Sequence, residues 1–496
     1  METRILSKPG NQAVTVFFVL ALISVCFAVF KVGGMLQDKA KVTLVVYDGP
    51  NLIEQNDTAR ISVQDKPLFV YNCPVNNTHT WVDSRVITPD YVPMGYFDFE
   101  GKVHVKIRLD KEQTLENVVI RPLSAGIKPV INSNTISFAI QTPGQYSIEY
   151  NNDIKKTVFL FANPLETDAP DQNDRNVFYI GPGLWDIGDM TLEDGQTLYV
   201  AGGAYVYGTA NAGNAANVSV KGRGIIDGSK YPGWLTPGSA AKVPVNFSSV
   251  KNPNVDGIIL MNPNAWTLNC LSCSDGKINN VKIISSRQNG DGITLQSCSN
   301  LTVADCFVRS WDDGIVVKNY EGNTNKITFS NILIWTDLAQ SCEIGYETNK
   351  GNRAGSVISG VTYNNITVLH NFHKPVLSIH NSDNATVRNI SYNNIVIEDA
   401  SMGQGDAGAN NQLIDFTILQ SGWSTTKDRG RIRDVSLTNI KVLDGEATAS
   451  RMIGFDADHG IENVTISGLE LLGRKIGSAE DARLSVNQFV SNVVFK

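Results

Sequence analysis

A short pattern that recurs along the second half of the chain constrains the fold more than any other sequence feature. Each copy has Asn, Asp or Gly, then an aliphatic residue, any residue and an apolar residue. The copies begin at Asn217, Asn280, Asn300, Gly360, Asn389, Asp434 and Asn463. Successive copies lie mostly about 20 to 45 residues apart, the range of solenoid repeats. Each copy therefore predicts one short strand per coil, with apolar side chains facing a common interior.

These strands predict a right-handed parallel β-helix over residues 176–496. No long amphipathic helix separates the copies, which disfavours the alternating strands and helices of a (β/α)8 barrel. Stacking each coil on the next, about 4.8 Å away, satisfies the hydrogen bonds of the strands. Asn at the corners suits this fold, because its amide tolerates a left-handed turn and can bond to its stacked equivalent.

Residues 40–165 have a different pattern, which predicts a smaller β-sandwich domain ahead of the solenoid. Apolar and charged residues alternate over residues 103–109, the period of two that is typical of a half-buried strand. Other short apolar stretches are separated by turn residues, as in two packed sheets. This region has no catalytic constellation, so we expect an accessory module that packs or contacts sugar. Residues 166–175 are acidic and contain a proline, which predicts a linker.

The N-terminus predicts export. Residues 13–30 form an uncharged apolar run, preceded by Arg4 and Lys8 and followed by Lys31. Its length lies between that of a signal-peptide core and that of a spanning helix. Residues 1–39 are therefore either a signal peptide or a membrane anchor, and both place the remainder outside the cytoplasm, secreted or in the cell envelope.

Charge and cysteine content exclude several classes. The net charge of -7 argues against a nucleic-acid binder that works by general electrostatics. Seven cysteines are too few for a disulfide scaffold. The spacings of Cys270, Cys273, Cys298 and Cys306 match no common zinc finger, so buried thiols or one or two disulfides are expected. We predict no metal and no cofactor, and a monomer.

Three aspartates carry the strongest functional signal. Asp291 follows Asn289-Gly290, and the pair Asp312-Asp313 comes 21 residues later, about one coil. Adjacent strands should bring these carboxylates together, and their repulsion raises the pKa of at least one. Glycosidic bond cleavage needs this, because one carboxyl protonates the leaving oxygen while an ionised carboxylate activates water. A Ca²⁺ site or simple capping of Asp-Gly turns are the alternatives.

The motif Asn-x-Asp-Gly with Asp-Asp 21 residues later resembles glycoside hydrolase family 28, the polygalacturonases and their relatives. The resemblance covers roughly residues 176–496 and includes the glycine-rich segment 222–228. It implies an inverting single displacement in which Asp312 is the general acid. Asp291 and Asp313 would hold the water as bases, and Asn289 would orient the cluster.

Two departures from the family pattern bear on the substrate. Gln340 stands where the family has the histidine of Gly-His-Gly, whereas Glu343-Ile344-Gly345 matches its Ser-Ile-Gly. The Arg-Ile-Lys that grips the uronate carboxylate in polygalacturonases is replaced by Ser378-Ile379-His380. The hydrolytic apparatus is retained, but galacturonate recognition is not implied. The two-domain plan is similar to that of family 49, the dextranases and isopullulanase.

Several side chains near the aspartates are candidates for sugar binding. With Asn289, they are Glu343, Tyr346, Glu347, Lys318 and His380, because carboxylates and cations bond hydroxyls and aromatic rings stack on pyranoses. His370, His373 and Lys374 are expected at the same cleft, and Trp311 either stacks on sugar or lies in the core. The sequence thus predicts an exported inverting glycoside hydrolase acting on a polysaccharide or oligosaccharide. A β-helical polysaccharide lyase and a non-catalytic carbohydrate-binding solenoid are the alternatives.

Overall fold

The computed structural model describes residues 42–76, 89–111, 113–233, 236–320, 322–401, 411–445 and 448–496. The predicted signal peptide or anchor, residues 1–39, lies outside the described residues. Within these ranges, no helix is long and apolar enough to cross a membrane.

Eleven strands and one short 3-10 helix, Leu123–Ala125, form the N-terminal region. The strands are β1 (Thr43–Val46), β2 (Ala59–Val63), β3 (Lys66–Pro67), β4 (Tyr71–Val75), β5 (Asp90–Glu100), β6 (Val103–Leu109), β7 (Val118–Arg121), β8 (Val130–Asn132), β9 (Thr135–Ile140), β10 (Gly144–Tyr150) and β11 (Asp153–Pro164).

These strands form the two sheets of a sandwich. One has the order β1-β5-β11-β10-β7, with β4 also on β5, and the other has the order β3-β2-β6-β9-β8. A shared apolar core, which includes Phe97, Ile107 and Val158, joins them. In β6 the apolar residues are buried and the residues between them are exposed, so the alternation that predicted a half-buried strand is confirmed.

The rest of the chain folds into 29 short strands in one continuous sheet. These are β12 (Val177–Ile180), β13 (Gly183–Thr191), β14 (Thr197–Val200), β15 (Ala204–Gly213), β16 (Ser219–Gly222), β17 (Ile225–Asp227), β18 (Val245–Ser248), β19 (Asn254–Asp256), β20 (Ile259–Met261), β21 (Leu268–Leu271), β22 (Lys277–Asn279), β23 (Lys282–Ile284), β24 (Ile293–Gln296), β25 (Ser299–Ala304), β26 (Phe307–Ser310), β27 (Ile315–Lys318), β28 (Thr324–Thr336), β29 (Cys342–Tyr346), β30 (Val357–Asn371), β31 (Leu377–Asn381), β32 (Thr386–Ile397), β33 (Ile414–Ile418), β34 (Arg431–Val442), β35 (Ser450–Ile453), β36 (Ile461–Ser467), β37 (Leu469–Leu471), β38 (Arg474–Ile476), β39 (Leu484–Val486) and β40 (Val490–Phe495).

The stacking of these strands confirms the predicted parallel β-helix. The strands pair in parallel with their equivalents one coil further on, as β24 does with β27 and β27 with β29. The exception is β38, which pairs antiparallel with β37. The predicted corner residues adopt left-handed backbone angles, for example φ 52° at Asn280 and 54° at Asn389. Corner amides also bond between coils, as from Asn365 to Asn331 at 2.7 Å. One apolar core runs through all the coils.

Eight stacked strands form one face of the solenoid, the face that follows Asp291 and Asp313 in the chain. We call it the cleft sheet, and it consists of β18, β21, β24, β27, β29, β31, β33 and β35. Apolar side chains of these strands, such as Leu295 and Val317, point into the core. Between them, alternate side chains line up across the coils on the opposite face. The register Asn269↔Thr294↔Val316↔Glu343↔Ser378↔Asp415↔Arg451 gives one such row.

The sandwich packs against a neighbouring face of the solenoid. The contact is apolar at its centre, where Phe159 and Phe161 of the sandwich meet Phe307 and Trp335 of the solenoid. Buried ion pairs border it, including Arg309 with Asp337 and Arg223 of the solenoid with Asp98 of the sandwich, 2.9 Å. Since β26 leads from this contact towards Asp312, the sandwich supports the coil that carries the aspartate pair.

Six of the seven cysteines fall in the described residues, and all six are buried free thiols. Of the two arrangements expected from the sequence, thiols and disulfides, the structure has thiols. Five of them fill the interior of the coils, where Cys273 and Cys298 lie in neighbouring turns just before the bridge between Ser274 and Ser299. The sixth, Cys73, lies in β4 of the sandwich.

Candidate active site

The three aspartates lie together at the entry of two adjacent strands of the cleft sheet. Asp291 and Asp313 each precede their strand by two residues, and the strands pair Ile293 with Ile315. A backbone bond from Gly292 N to Asp313 O, 2.8 Å, joins the same turns. Asp291 and Asp313 thus occupy equivalent positions one coil apart, about 4.8 Å. Both side chains are buried, whereas Asp312 is partly exposed.

Burial and mutual repulsion raise the pKa values of this cluster. Desolvation is the main cause for all three groups, and the charge of Asp312 adds to it at Asp291 and Asp313. The Lys318 ammonium acts in the opposite direction on each of them. Since three carboxylates share one buried space, the cluster retains a proton at a pH where isolated carboxyls have lost theirs. It can therefore present a carboxylic acid and a carboxylate at once.

Lys318 lies at the end of β27 beside the cluster. Its Nζ is 3.9 Å from Asp291 Oδ2 and 3.1 Å from Glu347 Oε2. Burial by itself would lower the pKa of Lys318, but the surrounding carboxylates outweigh it and raise the pKa well above its usual value. Tyr320 donates to Glu347 at 3.1 Å. The lysine is thus a fixed positive charge whose position is set by Asp291 and Glu347.

The next four coils carry a chain of alternating charges. His380 Nδ1 is 2.9 Å from Glu343 Oε1, and its Nε2 is 3.1 Å from Asp415 Oδ2. Arg451 donates to both oxygens of Asp415, at 2.9 and 2.7 Å. Burial would lower the pKa of His380, but Glu343 and Asp415 outweigh it and raise the pKa to about 10. The imidazole is therefore a cation at neutral pH, paired on both sides.

Two further predicted residues border the cleft. The ring of Tyr346 is partly exposed and stacks on His380, with centroids 4.4 Å apart and planes 6° apart. Asn289 adopts a left-handed backbone, φ 57°, in the turn that leads to Asp291. Its side chain is partly exposed, in the turn where the resemblance puts it.

Some sequence expectations were wrong or need correction. His370 does not face the cleft: its Nε2 is 3.0 Å from Glu149 of the sandwich, so it lies between the domains. Trp311 is fully buried and belongs to the core, the second of its two predicted roles. His373 and Lys374 are also buried. Lys374 nevertheless lies close enough to Asp312 to lower the pKa of that carboxyl against the larger effect of burial.

Sequence reasoning missed Asp415 and Arg451. Both carried a readable signal, because each is a charged residue at an alternate position of a short apolar strand, β33 and β35. A strand position that faces outward in one coil faces outward in the next. Extending the row from Glu343 and Ser378 by two coils would have found them. The described residues contain no group of three His, Cys, Asp or Glu side chains arranged to hold a metal ion.

Fold and site together define a β-helical glycosidase. A parallel β-helix displays a cluster of three carboxylates at the entry of two adjacent strands of one sheet face, as cleavage of glycosidic bonds requires. The chain belongs to the glycosyl hydrolases family 28, whose model matches residues 202–488. No curated protein matches the chain significantly.

Solved structures share the fold at low sequence identity. Dex49A from Penicillium minioluteum superposes with a TM-score of 0.65 at 15% identity, over 92% of this chain and 97% of that chain. A hyperthermoactive exopolygalacturonase from Thermotoga maritima gives a TM-score of 0.50 at 17% identity, over 64% and 83%. The first likeness extends beyond the solenoid, because it covers nearly the whole chain.

Proposed function

We propose that this protein is an exported, inverting glycoside hydrolase that cleaves O-glycosidic bonds in a polysaccharide or its oligosaccharides. The observation that carries the proposal is the cluster of Asp291, Asp312 and Asp313 on adjacent coils. Burial raises the pKa values of all three, while Lys318 beside Asp291 favours an ionised form.

Asp312 is the general acid of the proposed reaction. It is the most exposed of the three, and one of its oxygens is held in place by the backbone N–H of Asp313 at 3.0 Å. Its carboxyl proton passes to the glycosidic oxygen as the bond from that oxygen to the anomeric carbon breaks. Asp312 is then a carboxylate, and it regains a proton from solvent after the product leaves.

Asp291 and Asp313 are the proposed bases. Their equivalent positions in neighbouring coils leave a shared site for one water. That water loses a proton to the pair and attacks the anomeric carbon on the face opposite the leaving group, which inverts its configuration. Lys318 positions the pair, because its charge 3.9 Å from Asp291 stabilises the ionised carboxylate.

The remaining predicted residues form the proposed sugar site. Asn289 and Tyr346 are partly exposed and are the proposed direct contacts. Glu343, Glu347 and His380 are buried. Glu343 is paired with His380 and Glu347 with Lys318, so we assign these three residues to shaping the floor of the site. Tyr346 offers its ring for stacking on a pyranose.

Each domain has its own proposed role. We propose that residues 176–496 are the catalytic domain and residues 40–165 an accessory domain, joined by the segment 166–175. Residues 1–39 would direct export, either as a signal peptide or as an anchor. The working form is proposed to be a monomer, because a β-helix with one continuous core needs no partner to bury its apolar surface.

A screen with a stereochemical readout tests the proposal. The intact chain would be incubated with neutral and acidic polysaccharides, with and without chelator, and reducing ends would be measured. Proton NMR of the first product then gives its anomeric configuration. Release of inverted product, unaffected by chelator and lost in Asp312→Asn but not in the exposed corner variant Asp275→Asn, is the expected result.

Three results would count against it. Retained configuration would exclude the single displacement. Unsaturated products absorbing in the ultraviolet would indicate a lyase. Undiminished activity in Asp312→Asn would remove Asp312 from the mechanism.

A further inference from the structure

The cleft sheet carries three cations, and carboxylates engage each of them. Among its eight strands these cations are Lys318, His380 and Arg451. Lys318 is held by Glu347 at 3.1 Å. His380 lies between two carboxylates, and Arg451 donates two bonds to Asp415. The floor of the cleft therefore has positive charges, but they are already neutralised within the protein.

On the other side of the aspartates, the strands β18, β21 and β24 carry no charged side chain. Asn246 accepts a bond from Asn269 at 2.9 Å, and Gln296 donates to Asn269 from the next coil. These amides form a ladder across β18, β21 and β24. Amide groups donate and accept equally, which matches sugar hydroxyls and offers no net charge to a carboxylate.

Binding of a uronate ring would require a cation that is not already paired with a carboxylate. Moving a carboxylate from water into a cleft costs free energy unless charged donors replace its hydration, and a guanidinium or ammonium with free N–H groups does this best. Here a uronate would have to compete with Asp415 for Arg451 or with Glu343 and Asp415 for His380. Displacing a buried partner leaves a second carboxylate unpaired, which adds to the cost.

We infer that the glycan bound along the cleft sheet is uncharged, so that the enzyme acts on a neutral polysaccharide rather than on a polyuronate. The inference rests on the proposed hydrolase function and deepens it by naming the substrate class. The neutral groups that reach the surface are the partly exposed Tyr346 ring, which offers a stacking face, and the partly exposed Asn246 at the end of the amide ladder, which offers an amide to hydroxyls. The row of paired charges supports these groups and selects against acidic sugars.

One further cation needs its own test. Lys374 precedes β31 and lies near Asp312. It is nine-tenths buried. If it received a uronate carboxylate, cleavage of a polyuronate would depend on it, so the variant Lys374→Met is included below.

The experiment compares acidic polysaccharides with neutral ones. Polygalacturonate and its carboxyl-reduced product have the same linkage, and neutral glucans and galactans would be tested beside alginate and a glucuronan. Reducing ends are measured at low and high salt, for wild type and for Lys374→Met. We expect at least one neutral polymer to be cleaved roughly 100-fold faster than any polyuronate. A polyuronate cleaved as fast as the best neutral polymer, through Lys374 or otherwise, would overturn the inference.

A charge variant tests directly whether the pairing of cations with carboxylates is what disfavours acidic sugars. Asp415→Asn frees Arg451, so trigalacturonate should bind this variant about tenfold or more tighter than wild type, with the gain lost at high salt. Asp415→Glu should restore the wild-type value. Asp434→Asn is the matched control, because it frees Arg433, 3.9 Å away, at an exposed corner outside the cleft.

The outcomes separate the two proposals. If no polymer is cleaved, the hydrolase function fails, and trigalacturonate binding to the wild type still decides the inference. Salt-sensitive binding to wild type would overturn it. No binding to wild type with a gain in Asp415→Asn alone would support it, whereas the same weak binding in both would show that Asp415 does not control charge selection.

Discussion

Two histidines, ten residues apart in the chain, have almost the same surroundings in two regions with different tasks. His370 lies where the sandwich meets the solenoid, with Glu149 at 3.0 Å and Asp399 at 2.8 Å. His380 lies on the cleft sheet between two carboxylates of its own solenoid. Both are buried, and the carboxylates together outweigh the lowering effect of burial and raise the pKa of both.

The difference lies in which part of the chain supplies the partners. Glu149 belongs to β10 of the sandwich, and Arg121 of β7 bonds both Glu149 and Glu398 of the solenoid. The charges around His370 therefore hold two domains together. Those around His380 come from successive coils and hold the floor of the cleft. The same chemistry joins two domains in one region and forms the floor of the proposed sugar site in the other.

The largest effect is expected from Asp312→Asn, which should change activity at the cleft sheet but leave the stability of the fold unchanged. Loss of the general acid should lower kcat by about 10²- to 10⁴-fold, while the midpoint of thermal unfolding stays within a few degrees of wild type. Steady-state kinetics and calorimetry on one preparation measure both. Loss of fold together with activity would mean that Asp312 is a structural residue.

At the contact between the domains, Glu149→Gln should do the opposite and lower stability with little effect on activity. The change removes one charge from a buried network and leaves Arg121 and His370 underpaired, so the free energy of unfolding should fall by about 2–3 kcal/mol. kcat/KM should change by less than about threefold. Urea unfolding and kinetics measure these, with the exposed Glu116→Gln on the same domain as control. A larger loss of activity than of stability would place Glu149 in the catalytic function.

The pH dependence of stability should reveal the pairing of His380. Its folded pKa of about 10 lies above the unfolded value of ~6.5. Its contribution is therefore complete below about pH 6.5 and is lost as pH rises towards 10. Asp415 is hydrogen-bonded to two cations, which outweigh burial and lower its pKa, so its contribution disappears as the solution becomes strongly acidic.

The measurement is the free energy of unfolding of wild type and His380→Gln from pH 5 to 10. The advantage of wild type should shrink by about 2 kcal/mol or more over that range. A constant difference would show that His380 is neutral in the fold, which would leave Asp415 paired with Arg451 alone and Glu343 without its cationic partner.

The smallest effect is expected from Tyr346→Ala. Loss of a stacking ring removes about 1 kcal/mol of binding, which should raise KM about fivefold with little change in kcat. The control is Tyr179→Ala on the first coils, where Tyr179 stacks on Tyr199 at 5.1 Å. An unchanged KM would mean that the sugar does not lie on Tyr346.

Much of this architecture is local and was readable in the sequence. The left-handed corners depend on the side chain at each corner, and Asn, Asp and Gly tolerate that backbone best. Coil length then sets the register. The distance of 21 residues from Asp291 to Asp312 was therefore enough to predict that these aspartates meet on adjacent coils.

The pairing of charges was not readable, because the partners lie far apart in sequence. Glu149 is 221 residues from His370, and Glu343 is 37 from His380. The sequence predicted both histidines at one cleft. Only the packing of the sandwich decided that His370 lies between the domains.

The sequence by itself determined the solenoid, the sandwich before it and the position of the three aspartates, since periodicity and turn chemistry act over one coil. Tertiary structure decided which charges remain available to a substrate. A buried cation takes whichever carboxylate the packed coils bring within about 3 Å, because an unpaired buried charge costs several kcal/mol. The charge that the cleft presents is thus a property of the stacked coils, and no single coil contains it.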